Sequence, residues 1–554
     1  MGAYLKAVFP SLNASLYPPA GACFSILVLP ALLPSDNLAI IEQGKPRRES
    51  NCLPPAFQTT PLRAYAMRFE QTRKQTTTHA LSSLDTRARP GSTESLSLHM
   101  PLPEEACRSE VPPAPAAMRS LRILILDNVI VNAGDAAIML AMKESLQEAF
   151  GSGTLIYNGL NGPVLDPDLY QRLYPELHFV ATPTNAAYNW PQPGYHLWRR
   201  LVRKTALARF RLQAHLHRLG LPLSVLLPKE RALFHVYAAA DLIIVTGGAC
   251  LSTSWTPPHQ RAERATKYQI ALMLNKPLVF YAQSIGPFLP ADPLPEMLRP
   301  IMERADAILC RDAESVQVVR ERIGVTAENV YQTIDEALLL TPRAPSAPLM
   351  PPKARALRIG LCVHQWHWLG AEDPQARQRA FEARIVEVCQ ALLARHDAEL
   401  LFLTTHQGVE GIPRDDEVSL RLCAQLPEAL RHRAHVLTEF VHPREFAYLM
   451  GQCDLVISSR LHGAVLSLVG GTPILALAYE PKTSGLMRQI HLEDCVLSMW
   501  ESDADEIQAK AEEMLGDLPQ TRHRHQEALE LGRRLARRNR EIVVEVMRRR
   551  TGLK

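Results

Sequence analysis

Aromatic side chains are scarce in this chain, at 6% of 554 residues, and neither sign of charge dominates: 61 Lys and Arg stand against 57 Asp and Glu. A formal net charge of +4 is too small at this length to argue for nucleic acid or a membrane surface from balance alone. Ten cysteines are scattered with no Cys-x-x-Cys pair and no histidine cluster nearby. That spacing speaks against a zinc ribbon or a disulfide scaffold and for reduced structural thiols, so a cytoplasmic protein is expected. Long apolar runs are missing too. The longest near the start, 22–33, is too short to span a bilayer and is broken by Pro30. Only Lys6 is positive ahead of it and no small-x-small site follows, which argues against a secretory signal. What the chain does have is 47% hydrophobic and 21% charged residues, the balance of a globular protein long enough for two or three domains.

Organisation changes at Met118. Residues 1–117 mix Pro, Ser, Thr, Arg and Gln without period, and 101–117 hold five prolines. Such a segment buries too little apolar surface to offset its ordering entropy, so it is read as a disordered extension or one foreign to the functional protein, with Met118 the effective start. From 118 to 340 the sequence alternates apolar strands (121–126, 241–245, 277–281, 305–310) with helical stretches (135–150, 262–274, 312–323). An arginine-rich insertion with Trp190, Tyr195 and Trp198 interrupts it in a register the pattern does not fix. Five prolines in 341–356 mark a linker. A second run of strands and helices fills 357–500, and 501–554 ends in a basic helix. The expected fold is α/β, with two doubly wound Rossmann-like domains facing a cleft, the GT-B arrangement.

The most informative segment is Val456-Ile457-Ser458-Ser459-Arg460-Leu461-His462-Gly463-Ala464. An apolar strand runs into a fixed cation and an imidazole, and a helix then begins, which is where open α/β sheets bind anions. A surface salt bridge with a core histidine would explain one such tripeptide. Cations recur, however, at other strand ends: Lys482 in Tyr479-Glu480-Pro481-Lys482 and Arg311 in Cys310-Arg311-Asp312. Gly134 and Asp135 open a helix behind the first strand, Gly247 and Gly248 follow another, and Gln283-Ser284-Ile285-Gly286-Pro287 ends a third. Each turn has a plain structural reading; their recurrence points to an anion-binding active site.

In this order the motifs Asn132-Ala133-Gly134-Asp135-Ala136-Ala137-Ile138, Gly247-Gly248, Gln283-Ser284-Ile285-Gly286-Pro287, Arg311-Asp312-Ala313-Glu314-Ser315, Arg460-Leu461-His462 and Tyr479-Glu480-Pro481-Lys482 resemble the polysaccharide pyruvyl transferases over roughly 122–499. The chain departs from that family at Ala249, where a third glycine is frequent, and at Asp335-Glu336-Ala337, where Asp-Pro-Ala is frequent.

The resemblance implies transfer of a pyruvyl group from phosphoenolpyruvate to glycan hydroxyls, forming a ketal and releasing phosphate, in exopolysaccharide or cell-surface glycan synthesis. It implies Arg311 and Lys482 as holders of the donor's anionic groups and His462 as the proton-transfer group, with neither metal nor further cofactor. Arg460, Leu461, Gly247, Gly248, Gln283 and Gly286 would line the substrates, and Asn132, Gly134 and Asp135 would orient the acceptor, lipid-linked or polymeric. Asp415 and Asp416 are read as a solvated acidic loop, and Trp366, His367 and Trp368 as a sugar-stacking or core group. Two alternatives share the fold: a glycosyltransferase using a nucleotide-sugar donor, and a non-catalytic carbohydrate-binding protein. The terminal helix, with Leu531, Leu535, Ile542 and Val546 on one stripe among many arginines, either packs back on the protein or touches a membrane at its cytoplasmic face; nucleic acid is not expected.

Overall fold

The computed structural model describes residues 121–128, 132–160, 167–181, 196–253, 258–365, 373–406 and 415–552. The expected extension 1–117, its boundary at Met118, Trp190, Tyr195, Trp366, His367 and Trp368 lie outside the described residues. Two parallel sheets form the frame. The first contains β1 (Arg122–Asn128), β2 (Leu155–Leu160), β3 (His178–Ala181), β4 (Leu242–Val245), β5 (Gly248–Leu251), β6 (Leu278–Ile285), β7 (Ala307–Cys310) and β8 (Val330–Gln332). Its order is β3-β2-β1-β4-β6-β7-β8, with β5 paired to β6. The second holds β9 (Leu357–Cys362), β10 (Ala398–Phe402), β11 (Ala434–Val436), β12 (Leu455–Ser458), β13 (Ile474–Ala478) and β14 (Val496–Ser498), in the order β11-β10-β9-β12-β13-β14.

Each order reverses once, between β1 and β4 and between β9 and β12, and a crevice opens beyond the strand ends at such a reversal. The architecture is two Rossmann-like halves, GT-B-like, as the sequence pattern implies. Strands β4 and β7 are buried along their whole length, so they read as apolar runs and not as alternations. Strand β1 divides its side chains between two cores: Ile123 and Ile125 on one face, Leu124 and Leu126 on the other. The former core runs on through Leu338, Ile359, Val456 and Val546, joining the two halves and the terminal helix.

The helix Ala133–Phe150 is buried on most of its circumference, as befits an element enclosed on several sides. Its first amide, of Ala133, donates to the Thr405 carbonyl at 2.8 Å, and Asn132 bridges His406, so its N-terminus meets the end of β10. Further ties between the halves are His442 to Glu176 at 2.8 Å, Arg444 to Glu144, and the Gln489 amide to the Arg311 carbonyl at 2.8 Å.

Three readings of the sequence change. Asp415 and Asp416 are not a solvated loop: they open the helix Asp415–Gln425 and are 0% and 2% exposed. Along the terminal helix Leu518–Thr551, Ile542 and Val546 are buried as expected, with Ala528, Gly532, Ala536, Asn539, Val543 and Met547, whereas Leu531 is half-buried and Leu535 faces outward. In its first half the buried face is made by small residues, Ala528, Gly532 and Ala536, which allow close packing and which a pattern of large apolar residues does not register. The arginine-rich insertion contains the helix His196–Arg218, which the apolar pattern could not place because basic residues occupy so much of it.

Candidate active site

Both reversal points deliver residues to one place. In the first half, β1 ends in an irregular register between Ile125 and Asn128, where Asp127 takes φ 63°. The buried Asp127 carboxylate accepts from Lys267 Nζ at 3.2 Å and from the Tyr268 hydroxyl, and this brace fixes the turn. Asn132 then caps the next helix, its Oδ1 accepting from the Asp135 amide at 2.8 Å. Capping therefore falls to Asn132, and Asp135 sits at the third helical position with its carboxylate bonded to the Asn132 amide group.

Gly248, at φ 112°, passes under that carboxylate: a Cβ there would stand 3.3 Å from Asp135 Oδ1. Gly247 packs more tightly still, and a Cβ there would stand 2.9 Å from the Ile138 side chain. Gln283 follows an irregular register in β6 and is wholly buried; its amide donates to the Thr246 carbonyl and so braces the Gly247–Gly248 turn from behind. Gly286, at φ 86°, donates to the Leu251 carbonyl at 2.7 Å and abuts Val318.

The second half contributes the helix Leu461–Gly470, whose N-terminus follows β12. Leu461 is buried, and the His462 ring projects onto the helix of the other half, so closely that a Cβ on Gly134 would lie 2.2 Å from its Cγ. His462 Nε2 is buried, carries no hydrogen bond, and stands 3.4 Å from Asp335 Oδ2. Asp335 is paired with Arg311, caps the short helix Glu336–Leu339 and accepts from the Ala337 amide at 2.9 Å. Burial alone pushes the Asp335 carboxyl up, but the Arg311 guanidinium and the His462 ring reverse this and hold it far below the ordinary carboxylate range.

Arg311 is 3% exposed and spends Nε on Ser284 Oγ at 2.7 Å. That hydroxyl in turn donates to Asp312 at 2.7 Å, so the cation is fixed from two sides. Lys482 enters from the start of the helix Pro481–Gln489, its Nζ 2.6 Å from Glu480 and 5.4 Å from the centre of the Tyr479 ring. Burial disfavours its ammonium, yet Tyr479 and Glu480 raise its pKa above the ordinary value, against a contrary pull from Arg311. The Asp135 carboxyl is raised by burial, in spite of His462, Arg311, Asn132 and Lys482 around it. The charges of all three basic residues that the sequence singles out therefore act on Asp135.

Arg460 sits differently. Its guanidinium grips Asp415 with two bonds, of 3.0 and 2.8 Å, and touches His406 Nδ1 at 3.2 Å. In this arrangement the cation anchors the loop before the helix Leu461–Gly470 to the second half's own scaffold. Sequence reading passed over Asp335 as a partner and Asp415 as an anchor. The signal was there, an acidic residue between two apolar stretches, but nothing in a linear pattern says which arginine will face it.

A model of the family described as polysaccharide pyruvyl transferase matches residues 132–481. The amylovoran biosynthesis protein AmsJ of Erwinia amylovora is 28% identical over 231 residues, 40% of this chain and 54% of that protein, so the match spans about half of the curated relative. Among solved structures, a UDP-GlcNAc 2-epimerase from Neisseria meningitidis bound to UDP-GlcNAc aligns at TM-score 0.46 and 11% identity, over 77% of this chain and all (100%) of that one. A glycosyltransferase from Rickettsia africae aligns at 0.45 and 11%, over 79% and 100%. With the family model covering well over half of its length, including every motif from Asn132 to Pro481, the chain belongs to the polysaccharide pyruvyl transferase family.

Proposed function

We propose that the protein transfers a pyruvyl group from phosphoenolpyruvate to two hydroxyls of a glycan acceptor, closing a ketal and releasing phosphate. The observation that carries this reading is the chain Arg311–Asp335–His462, with the charges of His462, Arg311 and Lys482 all acting on Asp135 and each of these basic residues following the end of a parallel strand. A small donor with a carboxylate and a phosphate needs fixed cations close together, and a single proton-transfer group beside them.

Arg311 and Lys482 hold the two anionic groups. His462 gives a proton to the C3 methylene, which becomes a methyl group as C2 turns electron-poor. One acceptor hydroxyl adds at C2 and yields its proton to Asp135, whose raised pKa suits it to accept. The C2–O bond to phosphate breaks with its electron pair on the phosphate, and the second hydroxyl closes the ring. Asp135 hands its proton on to the departing phosphate, and the second hydroxyl gives its proton to His462 as the ring closes, which restores both groups, so atoms and electrons balance without an oxidant.

The acceptor is a polysaccharide precursor, lipid-linked or polymeric, and the reaction runs on the cytoplasmic side, where phosphoenolpyruvate is available. The free thiols of the described cysteines fit that compartment. Incubation with phosphoenolpyruvate and a panel of glycans, followed by mass spectrometry, tests the reading. Pyruvyl addition with matching phosphate release is expected. Nucleotide release from a sugar nucleotide in its place would transfer the protein to the glycosyltransferases, and binding of both substrates without turnover would make it a carbohydrate-binding member.

A further inference from the structure

Eleven large apolar side chains stand exposed among the described residues, and five of them fall between 212 and 227: Leu212, Leu219, Leu221, Leu223 and Leu227. Leu219 and Leu223 are 59% and 62% exposed. They belong to the end of the helix His196–Arg218 and the loop behind it, wholly within the first half. The opposite side of that helix is already satisfied, with Phe210 and Ala214 packed against Leu226, Leu233 and Phe234.

The loop is held with its leucines outward. Gly220, at φ 69°, turns the chain. Gln213, 7% exposed, donates to the Leu223 carbonyl at 3.1 Å and accepts from the Val225 amide at 3.0 Å. Glu230 accepts from the Leu227 amide at 3.0 Å while paired with Arg209. A loop pinned at three points by buried polar groups cannot fold its leucines away, so water meets them as a fixed patch.

Charge says what would cover it. Residues 196–231 contain nine Lys and Arg and one acidic residue, Glu230, in a chain whose whole net charge is +4. Arg211, Arg218 and Arg231 are exposed beside the leucines. An apolar tip with a basic surround matches an acyl layer beneath anionic headgroups, with leucines entering the boundary and arginines meeting phosphates. The terminal helix, though also rich in arginine, turns only one large apolar side chain outward, Leu535, and Arg524, Arg533, Arg538, Arg540 and Arg550 pair with carboxylates. Among the described residues no helix is long and apolar enough to cross a membrane.

We propose that the leucine-tipped, basic segment 211–231 docks the protein on an anionic lipid bilayer. The surface involves none of the residues assigned to the donor, so it stands or falls apart from the proposed reaction.

The test is sedimentation of the full chain with vesicles, in the absence of any substrate. Vesicles of phosphatidylcholine with about one third phosphatidylglycerol should carry the protein down, and phosphatidylcholine alone should not, since the attraction needs anionic headgroups. The paired changes Leu221→Ser with Leu223→Ser, and separately Arg211→Glu with Arg218→Glu, should each cut partitioning about tenfold with unchanged thermal melting, because surface substitutions leave the core intact. No binding to anionic vesicles, or equal binding by the leucine variant, would overturn the proposal. So would a dimer of the parent protein that the leucine variant dissociates, which would make a second copy the occupant.

Discussion

The His462 ring lies on Gly134 across the two halves: a Cβ built on that glycine would stand 2.2 Å from Cγ and Nδ1 and 2.4 Å from the histidine Cβ. In a helix interior alanine is ordinarily better than glycine by about 1 kcal/mol. Packing reverses the preference here, because the histidine backbone and the helix would have to separate. Gly134→Ala should lower turnover about 100-fold by misplacing the imidazole by an ångström or more. Phosphate release from phosphoenolpyruvate and acceptor, beside a melting curve, checks this; an active variant would show that the contact has slack.

His462 is the expected proton carrier, with Nε2 buried, lacking a hydrogen bond, and 3.4 Å from the Asp335 carboxylate. His462→Gln should keep the fold and donor affinity within a few-fold while turnover falls about 10²–10⁴-fold. Titration calorimetry with phosphoenolpyruvate, set against steady-state rates, separates the two effects. Near-parental turnover in the folded variant would make the ring a spacer between the halves.

Arg311 and Asp335 form a buried pair, 3% and 0% exposed. Removing the arginine strands the carboxylate, so Arg311→Ala should cost stability of about 3–5 kcal/mol besides donor binding. Adding Asp335→Asn removes the stranded charge. The double variant should regain most of the lost stability in urea unfolding yet still fail to bind phosphoenolpyruvate. Recovery of binding along with stability would mean that Arg311 only holds the scaffold.

Much of this arrangement was legible beforehand, because strand ends, glycine turns and basic residues are local signals. β1, β4, β6, β7, β9, β10, β12 and β13 were visible as apolar runs. β3, β8, β11 and β14 are the edges of their sheets, only partly buried, and their short mixed sequences show no apolar run. The gathering of Arg311, His462 and Lys482 could be inferred from their like positions at strand ends. What could not be read was the pairing, with Arg311 on Asp335 and Arg460 on Asp415, since each contact depends on how two sheets are set against one another. The small residues Gly532 and Ala536, on which the terminal helix packs, are likewise invisible to a count of leucines.

Glu336, next to Asp335, is wholly buried where the helix Ala133–Phe150 and the terminal helix meet: Ser145 Oγ donates to Oε1 at 2.6 Å and Asn539 Nδ2 to Oε2 at 2.8 Å. Burial outweighs these bonds, and with the neighbouring Asp335 charge it pushes the carboxyl from 4.5 up to about 7. A carboxyl whose folded pKa exceeds its unfolded one binds more protons in the folded state between those two values. Its contribution to stability is therefore full below pH 4.5, declines as pH rises toward about 7, and is constant above. The loss is at most about 3.5 kcal/mol, because each tenfold change in proton affinity between the folded and unfolded chain is worth about 1.4 kcal/mol. Glu336→Gln keeps both partners, its amide nitrogen facing the Ser145 hydroxyl and its oxygen facing Asn539, and cannot ionise. Relative to this variant, the parent should melt at progressively lower temperature from pH 4.5 to 7, with the gap level at higher pH. Parallel melting curves across that range would show that Glu336 stays ionised in the folded protein, with its charge met by the two bonds.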